Sequence, residues 1–210
     1  MRQLPVILLL GFALSLCNLT NKLKTATKSG DSNTSGSSAA DGGTAAEHAQ
    51  PTAAQIAALA GGQNVNWDKQ GMSFTVPANW KQSSDESKEL VWRSPGGSDA
   101  ANLIVSISPM DESFPTEVSI KAFYDGAKTR EKNGEVDELK WVEIDGMKGV
   151  QFRESNPEKA DGIRRLQWLA YRKYAGQVQL VNVMLASSGS GFPTHQDAMY
   201  GVLYSAKITH

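Results

Sequence analysis

The most constraining feature of the sequence is a stretch near its end that is apolar on both faces of an extended strand. Its apolar residues include Leu180 and Met184 at even positions and Val181 and Val183 at odd positions. Successive side chains of a strand point to opposite faces of its sheet, so an apolar strand of this kind needs cover on both faces. We therefore predict a central strand in which Val181 and Val183 are buried on one face, and Leu180 and Met184 on the other.

Short turn signals connect this strand and an earlier one to their neighbours. Asp145-Gly146 and Ala175-Gly176 each separate two extended segments, and two-residue turns of this type join antiparallel strands. The predicted strand pairs are 139–144 with 147–153 and 163–174 with 177–186. Three shorter alternating segments precede them, at 72–76, 90–92 and 103–107.

Two segments have helical spacing instead. The first contains Ile120, Phe123, Tyr124 and Ala127 and has Ser119 as a predicted N-cap, and the second contains Met199, Val202 and Leu203 and has Thr194 as a predicted N-cap. Hairpins without crossover helices favour an antiparallel sheet. The sequence therefore predicts an α+β fold, an α/β/α sandwich whose mainly antiparallel sheet is covered by helices on both faces.

Composition divides the chain into three parts. All five tryptophans and all five tyrosines follow residue 63, so residues 64–210 are the predicted folded domain. Residues 18–63 are rich in Ala, Gly, Ser and Thr, and such a segment buries too little apolar surface to fold alone, which predicts a disordered tether. Within it, Thr52 and Gln55 have capping-box spacing, so a short helix could dock weakly through Ile56 and Leu59.

The first seventeen residues have the pattern of an export signal. An apolar run from Leu4 to Leu16 follows Arg2, and it is shorter than the roughly 20 residues of a membrane-spanning helix. The run ends at Cys17, and Leu14-Ser15-Leu16-Cys17 resembles the lipobox of bacterial lipoproteins. That resemblance implies cleavage before Cys17 and acylation of its thiol by fatty acids such as palmitate. Because Leu16 stands where the family prefers a small residue, an ordinary secretory signal or an uncleaved anchor is the alternative.

The domain also resembles a known family. The segment 72–80, Met-Ser-Phe-Thr-Val-Pro-Ala-Asn-Trp, is similar to the opening of PsbP-like domains. Their internal turn is matched by Ile144-Asp145-Gly146 and their ending by Ser205-Ala206-Lys207-Ile208, so the resemblance covers about 67–208. The superfamily includes photosystem II extrinsic subunits, a Ran-binding import factor and exported bacterial lipoproteins. The resemblance implies a domain that binds other proteins and has no shared catalytic residues.

Composition argues against several classes of function. The 21 basic and 22 acidic residues give a net charge of −1, which does not favour nucleic acid as a partner. One cysteine and three histidines do not suit a cysteine-based zinc site or a His-rich metal site, and no cofactor motif occurs. His195 lies near Asp197 without a nucleophile motif, so we expect an exposed histidine and no enzyme.

Three residues of the domain are candidates for binding. Trp80 follows a strand that ends at Pro77 and could line a ligand groove. Arg164 and Arg165 lie near the end of a strand, where solvent-facing charges are the ordinary interpretation and contact with an anion or headgroup is the alternative.

These observations together predict an exported, lipid-anchored, non-catalytic binding module in the bacterial cell envelope, facing away from the cytoplasm. Its predicted partners are the membrane, through the acylated Cys17, and another envelope protein. The alternative is a small-ligand carrier with a groove between a helix and the sheet, and a hydrolase without a recognisable motif comes third.

Overall fold

The computed structural model describes residues 45–209. The predicted signal with Cys17 and the part of the predicted tether before residue 45 lie outside the described residues. The helices are α1 (Ala53–Ala58), α2 (Thr116–Lys132) and α3 (Phe192–Tyr204). The strands are β1 (Glu47–His48), β2 (Gln63–Trp67), β3 (Met72–Val76), β4 (Lys81–Asp85), β5 (Glu89–Arg93), β6 (Asn102–Met110), β7 (Val136–Ile144), β8 (Met147–Glu154), β9 (Ile163–Tyr174), β10 (Gln177–Ser188) and β11 (Lys207–Ile208).

The main sheet contains eight of the described strands in the order β1-β7-β8-β9-β10-β6-β5-β4. Its pairs are antiparallel except for the short parallel pair of β1 with β7. Both predicted hairpins are present, and the turn residues have positive φ, with values of 49° and 83° for Asp145 and Gly146. Two consecutive residues with positive φ are typical of the turns that suit the twist of a hairpin.

One face of the main sheet is closed by α3 and by a second, three-stranded sheet in the order β11-β3-β2. The largest buried cluster lies between these layers and contains Phe74, Trp168, Val183 and Met199. The other face carries α2, which packs on β7, β8 and β9 and buries a smaller cluster around Ile120. The predicted α+β architecture with helices on both faces is therefore confirmed.

The cover on the α2 face is narrower than the sequence predicted. Val181 and Val183 are fully buried on the other face, whereas Leu180 and Met184 are only half-buried. The prediction that both sets are buried is therefore wrong for Leu180 and Met184. A helix is about 10–12 Å wide and strands lie about 4.8 Å apart, so α2 covers only about three strands.

Both long helices begin earlier than predicted. Pro115 precedes α2 and Pro193 lies in the first turn of α3, and proline suits a helix start because its φ is already helical and no N–H is needed there. Ser119 is therefore inside α2, and its hydroxyl is hydrogen-bonded to the Tyr171 hydroxyl at 2.8 Å. Thr194 is likewise inside α3 and does not cap it.

Residues 45–63 also differ from the predicted disordered tether. Here β1 pairs with β7, and α1 has the predicted capping box, with Thr52 and Gln55 bonded to each other's backbone N–H. This segment is ordered because it packs on the domain: α1 lies against α3 at Gly201. A Cβ added at Gly201 would lie 2.8 Å from the Gln55 carbonyl oxygen, so the close approach needs glycine.

Candidate binding surfaces

Trp80 lies in the hydrophobic core. It is 2% exposed and belongs to the large cluster under α3. Its carbonyl oxygen accepts a hydrogen bond from Gln63 Nε2 at 3.0 Å. The buried indole does not present a surface to a ligand, so the structure offers no groove at this residue.

The two arginines lie on opposite faces at the start of β9. Arg164 is 6% exposed, and its Nε donates to the Glu154 carbonyl oxygen at 2.8 Å while its guanidinium pairs with Asp137. Arg165 is half-buried, and its Nη1 lies 3.0 Å from Glu154 Oε2. Since both guanidinium groups have carboxylate partners and point to different faces, they do not form one anion-binding patch.

A polar cleft of about 420 Å³ lies at the β7 edge of the main sheet. It is bounded by the β1–α1 segment, by β7 and β8, and by α3, and we call it the edge cleft. The side chains that define it are Glu47, Gln50, Gln55, Glu138, Lys140, Arg153, Gln196, Tyr200 and Tyr204.

Hydrogen bonds fix the inner wall of the edge cleft. The Tyr200 hydroxyl donates to Glu138 Oε2 at 2.7 Å and accepts from Arg153 Nη1 at 3.2 Å. Gln151, which is fully buried, donates from Nε2 to the other Glu138 oxygen at 2.6 Å. Glu138 thus accepts from two donors, one on each carboxylate oxygen, and its position does not depend on a ligand.

Electrostatics keep the cleft's tyrosines protonated. Burial, reinforced by the hydrogen bond to Glu138, raises the pKa of Tyr200 far above its usual range. Burial also raises the pKa of Tyr204, although Lys140 nearby acts in the opposite direction. Burial alone would lower the pKa of Lys140, but Tyr204 and Glu138 outweigh it and raise that pKa. The cleft therefore presents neutral hydroxyls and a permanent cation at neutral pH.

A second surface is the part of the α2 face that α2 leaves uncovered, which we call the open sheet face. Its half-buried side chains are Val91, Ile104, Ser106, Asn182 and Met184, contributed by β5, β6 and β10. Leu180 lies at its border, packed against the cluster under α2. A polar row crosses it, because Gln167 Nε2 donates to Asn182 Oδ1 at 2.8 Å and Asn182 Nδ2 donates to Ser106 Oγ at 3.2 Å. Val91, Ile104 and Met184 lie on one side of this row, and Leu180 and Ser108 lie on the other.

A third surface is a groove of about 360 Å³ between α1, α3 and β3, the α1–α3 groove. Its lining is mainly apolar and includes Pro51, Ile56 and Leu59. The Ile56 side chain is 60% exposed.

No group of three or more metal-ligating side chains occurs within residues 45–209. In the same part of the chain, no helix combines the length and the apolar character needed to cross a bilayer.

Sequence reasoning missed the edge cleft, although two signals for it were present. Glu138, Lys140, Val142 and Ile144 occupy every second position of β7 and so share one face of the strand. The first two are charged and the last two are apolar and buried, so this face changes from charged to apolar along its length. Tyr200 and Tyr204 are spaced i, i+4 and so share one side of α3. Each signal is local, and only the folded chain shows that β7 and α3 line the same cleft.

Comparison with known proteins supports the fold and leaves the function open. No protein-family model and no curated protein matches the sequence. The chain is similar in structure to LpqN, a protein involved in cell envelope biogenesis of Mycobacterium tuberculosis, with 14% identity and a TM-score of 0.52 over 71% of this chain and 86% of LpqN.

Two further solved structures match with lower scores. Cyanobacterial PsbP from Synechocystis sp. PCC 6803 has 16% identity and a TM-score of 0.46, over 70% of this chain and 92% of PsbP. The Ran-binding protein Mog1p from Saccharomyces cerevisiae has 9% identity and a TM-score of 0.41, over 70% of this chain and 95% of Mog1p. The similarity to LpqN is one of fold.

Proposed function

We propose that this protein is an exported, lipid-anchored, non-catalytic binding module that contacts another protein of the bacterial cell envelope. The lipobox-like sequence ending at Cys17 supports export and anchoring. The similarity in fold to LpqN, which is involved in cell envelope biogenesis, supports the envelope as the place of action. The open sheet face supports binding to a protein.

The open sheet face is the main support for a protein partner. Three strands present Val91, Ile104 and Met184 on the part of the face beyond the strands that α2 packs on. A flat, mainly apolar sheet surface suits a protein partner better than a small molecule, because small molecules bind in concave sites. Two hydrogen bonds already link Gln167, Asn182 and Ser106, so a partner that covers this row needs to pair only their remaining donors and acceptors.

Site-specific photocrosslinking in intact cells tests the protein contact. A photoreactive amino acid at Met184 should give a crosslinked product of defined mass, because this side chain lies on the open sheet face beside Ile104. The matched control is the same amino acid at Lys128, an exposed position of α2. A product with both positions, or with neither, would contradict docking at the open sheet face.

The lipid anchor needs a separate test, because it can fail without affecting the binding surface. Metabolic labelling with a fatty-acid analogue should label the wild-type protein and leave Cys17→Ser unlabelled. Cell fractionation should then find the wild type in the membrane fraction. Equal labelling of the two proteins would contradict acylation at Cys17.

A small-ligand carrier remains a second candidate because the α1–α3 groove is lined by apolar side chains. The groove would take an acyl chain, which needs apolar contacts and few hydrogen bonds. Quenching of a fluorescent fatty acid by the purified protein tests this function. Binding should weaken in Leu59→Ser, whose side chain lines the groove, and stay unchanged in Val118→Ser, an exposed position on α2. Equal binding by both variants would contradict a carrier function at this groove.

A further inference from the structure

The charges that line the edge cleft cancel one another. Lys140 Nζ lies 3.4 Å from Glu138 Oε1 and 3.8 Å from Glu47 Oε2. Arg153 Nη1 lies 3.4 Å from Glu138 Oε2, and its Nε lies 2.7 Å from Asp137 Oδ1. An ionic ligand would compete with these pairs, and displacing a partner from the half-buried Glu138, Lys140 or Arg153 would leave a charge uncompensated. The cleft is therefore poorly suited to anions and to cations.

The unused hydrogen-bonding capacity of the cleft belongs to neutral groups. Among residues 45–209, the side-chain amides of Gln50 and Gln196 have no hydrogen-bond partner. Gln196 is half-buried on the first turns of α3, so its amide is held at the cleft wall. An amide offers both donors and acceptors, which is the combination that a ligand with several hydroxyl groups can satisfy.

Aromatic rings complete the cleft wall. Tyr200 and Tyr204 lie one helical turn apart, with ring centroids 5.7 Å apart and an interplanar angle of 61°. A tyrosine combines an apolar ring with a polar tip, so it can contact the C–H face of a sugar ring and one of its hydroxyls. The volume of about 420 Å³ falls within the range of small-molecule sites.

We propose that the edge cleft is a binding site for a neutral oligosaccharide. The amides of Gln50 and Gln196 bind hydroxyl groups of the ligand, Tyr204 contacts a sugar ring, and the Glu138 network holds the inner wall rigid. The site is separate from the open sheet face, so sugar binding does not require the protein partner proposed above. Because Glu47 and Gln50 precede α1, the ordered end of the predicted tether forms one wall of the site.

Titration calorimetry of the full-length protein in detergent, with a panel of trisaccharides, tests the inference. The neutral probes are N,N′,N″-triacetylchitotriose, maltotriose and mannotriose, the anionic probe is trigalacturonate, and the cationic probe is chitotriose, the free-amine form of the first probe. We expect at least one neutral trisaccharide to bind, both charged probes to bind at least tenfold more weakly, and the neutral affinity to be insensitive to salt. Absence of binding by every neutral probe, or tighter binding by a charged one, would overturn the inference.

A pair of glutamine variants locates the site. Gln196→Ala removes hydrogen bonds to the ligand and should weaken binding of the neutral probe by about tenfold. Gln82→Ala makes the same change on the exposed strand β4 and should bind like the wild type. Thermal unfolding checks that both variants are folded. Equal affinities of the two variants for the sugar would overturn the assignment of the site to the edge cleft.

Discussion

Replacement of Gly149 by alanine adds one carbon and should strongly destabilise the main sheet. Gly149 lies in β8, where it pairs with Val142 on one side and Ala170 on the other. A Cβ at this position would lie 2.5 Å from the Leu169 carbonyl oxygen and 2.5 Å from Trp168 Nε1. Both atoms are part of the packed centre of the sheet, so neither can move aside at low cost.

The magnitude follows from two consequences of that contact. Insertion of one carbon into a close-packed region typically costs about 1–3 kcal/mol. The indole of Trp168 is fully buried and donates from Nε1 to the Val142 carbonyl oxygen at 3.2 Å, and its displacement would leave that donor unpaired at about 1–3 kcal/mol. We therefore expect Gly149→Ala to lower the free energy of unfolding by about 2–6 kcal/mol.

Gly126 provides a matched control with the opposite expected sign. It lies in α2, it is exposed, and a Cβ there would meet no heavy atom within 4 Å. Gly126→Ala should therefore raise the free energy of unfolding by about 0.5–1 kcal/mol, because alanine is the better helix former. Urea unfolding followed by tryptophan fluorescence measures both changes. A Gly149→Ala variant as stable as the wild type would refute the packing argument.

Three further changes test other parts of the structure. Val181→Asp should unfold the domain because it buries an unpaired charge, whereas Met184→Asp on the open sheet face should retain a native circular dichroism spectrum; equal loss in both would contradict the half-covered sheet. Gly201→Ala should push α1 away from α3, and faster proteolysis near Leu59 without loss of the remaining fold is the expected result. The pKa of Tyr200 is raised in the folded protein, so its contribution to the free energy of unfolding is present below the ordinary tyrosine pKa of about 10 and is lost as the pH rises above it. Tyr200→Phe removes this titration, so the melting temperature of the variant should fall less steeply at alkaline pH than that of the wild type. An unchanged alkaline profile would show that Tyr200 does not dominate this loss.

The main sheet could be predicted because its signals are local. The alternation in 72–76 and 103–107 and the turns at Gly146 and Gly176 each lie within a few residues, and all of them correspond to strands and hairpins in the structure. The three-stranded sheet could not be predicted in the same way. Its strand β11 has two residues and pairs with β3, which is far away in the sequence, so no periodic pattern reveals it.

The candidate site residues were harder to predict because their roles depend on contacts between distant elements. Trp80 was a candidate for a groove, but the layer formed by the second sheet and α3 covers it. Arg164 was a candidate for an anion contact, but Asp137 on a different strand neutralises it. The edge cleft brings together residues from four separate segments, and only the folded chain shows that their charges cancel.

The two faces of the main sheet explain why a binding surface can exist without loss of stability. Eight strands at about 4.8 Å spacing form a layer roughly 34 Å wide, whereas one helix covers about 10 Å of it. On one face, α3 and the three-stranded sheet close this gap, and Val181 is fully buried as a result. On the other face α2 is the only described cover, and Ile104 and Met184 are only half-buried. Polar residues at these two positions would therefore cost the folded state little free energy. Their apolar character is therefore not required by the fold, and binding of a partner gives it a physical reason.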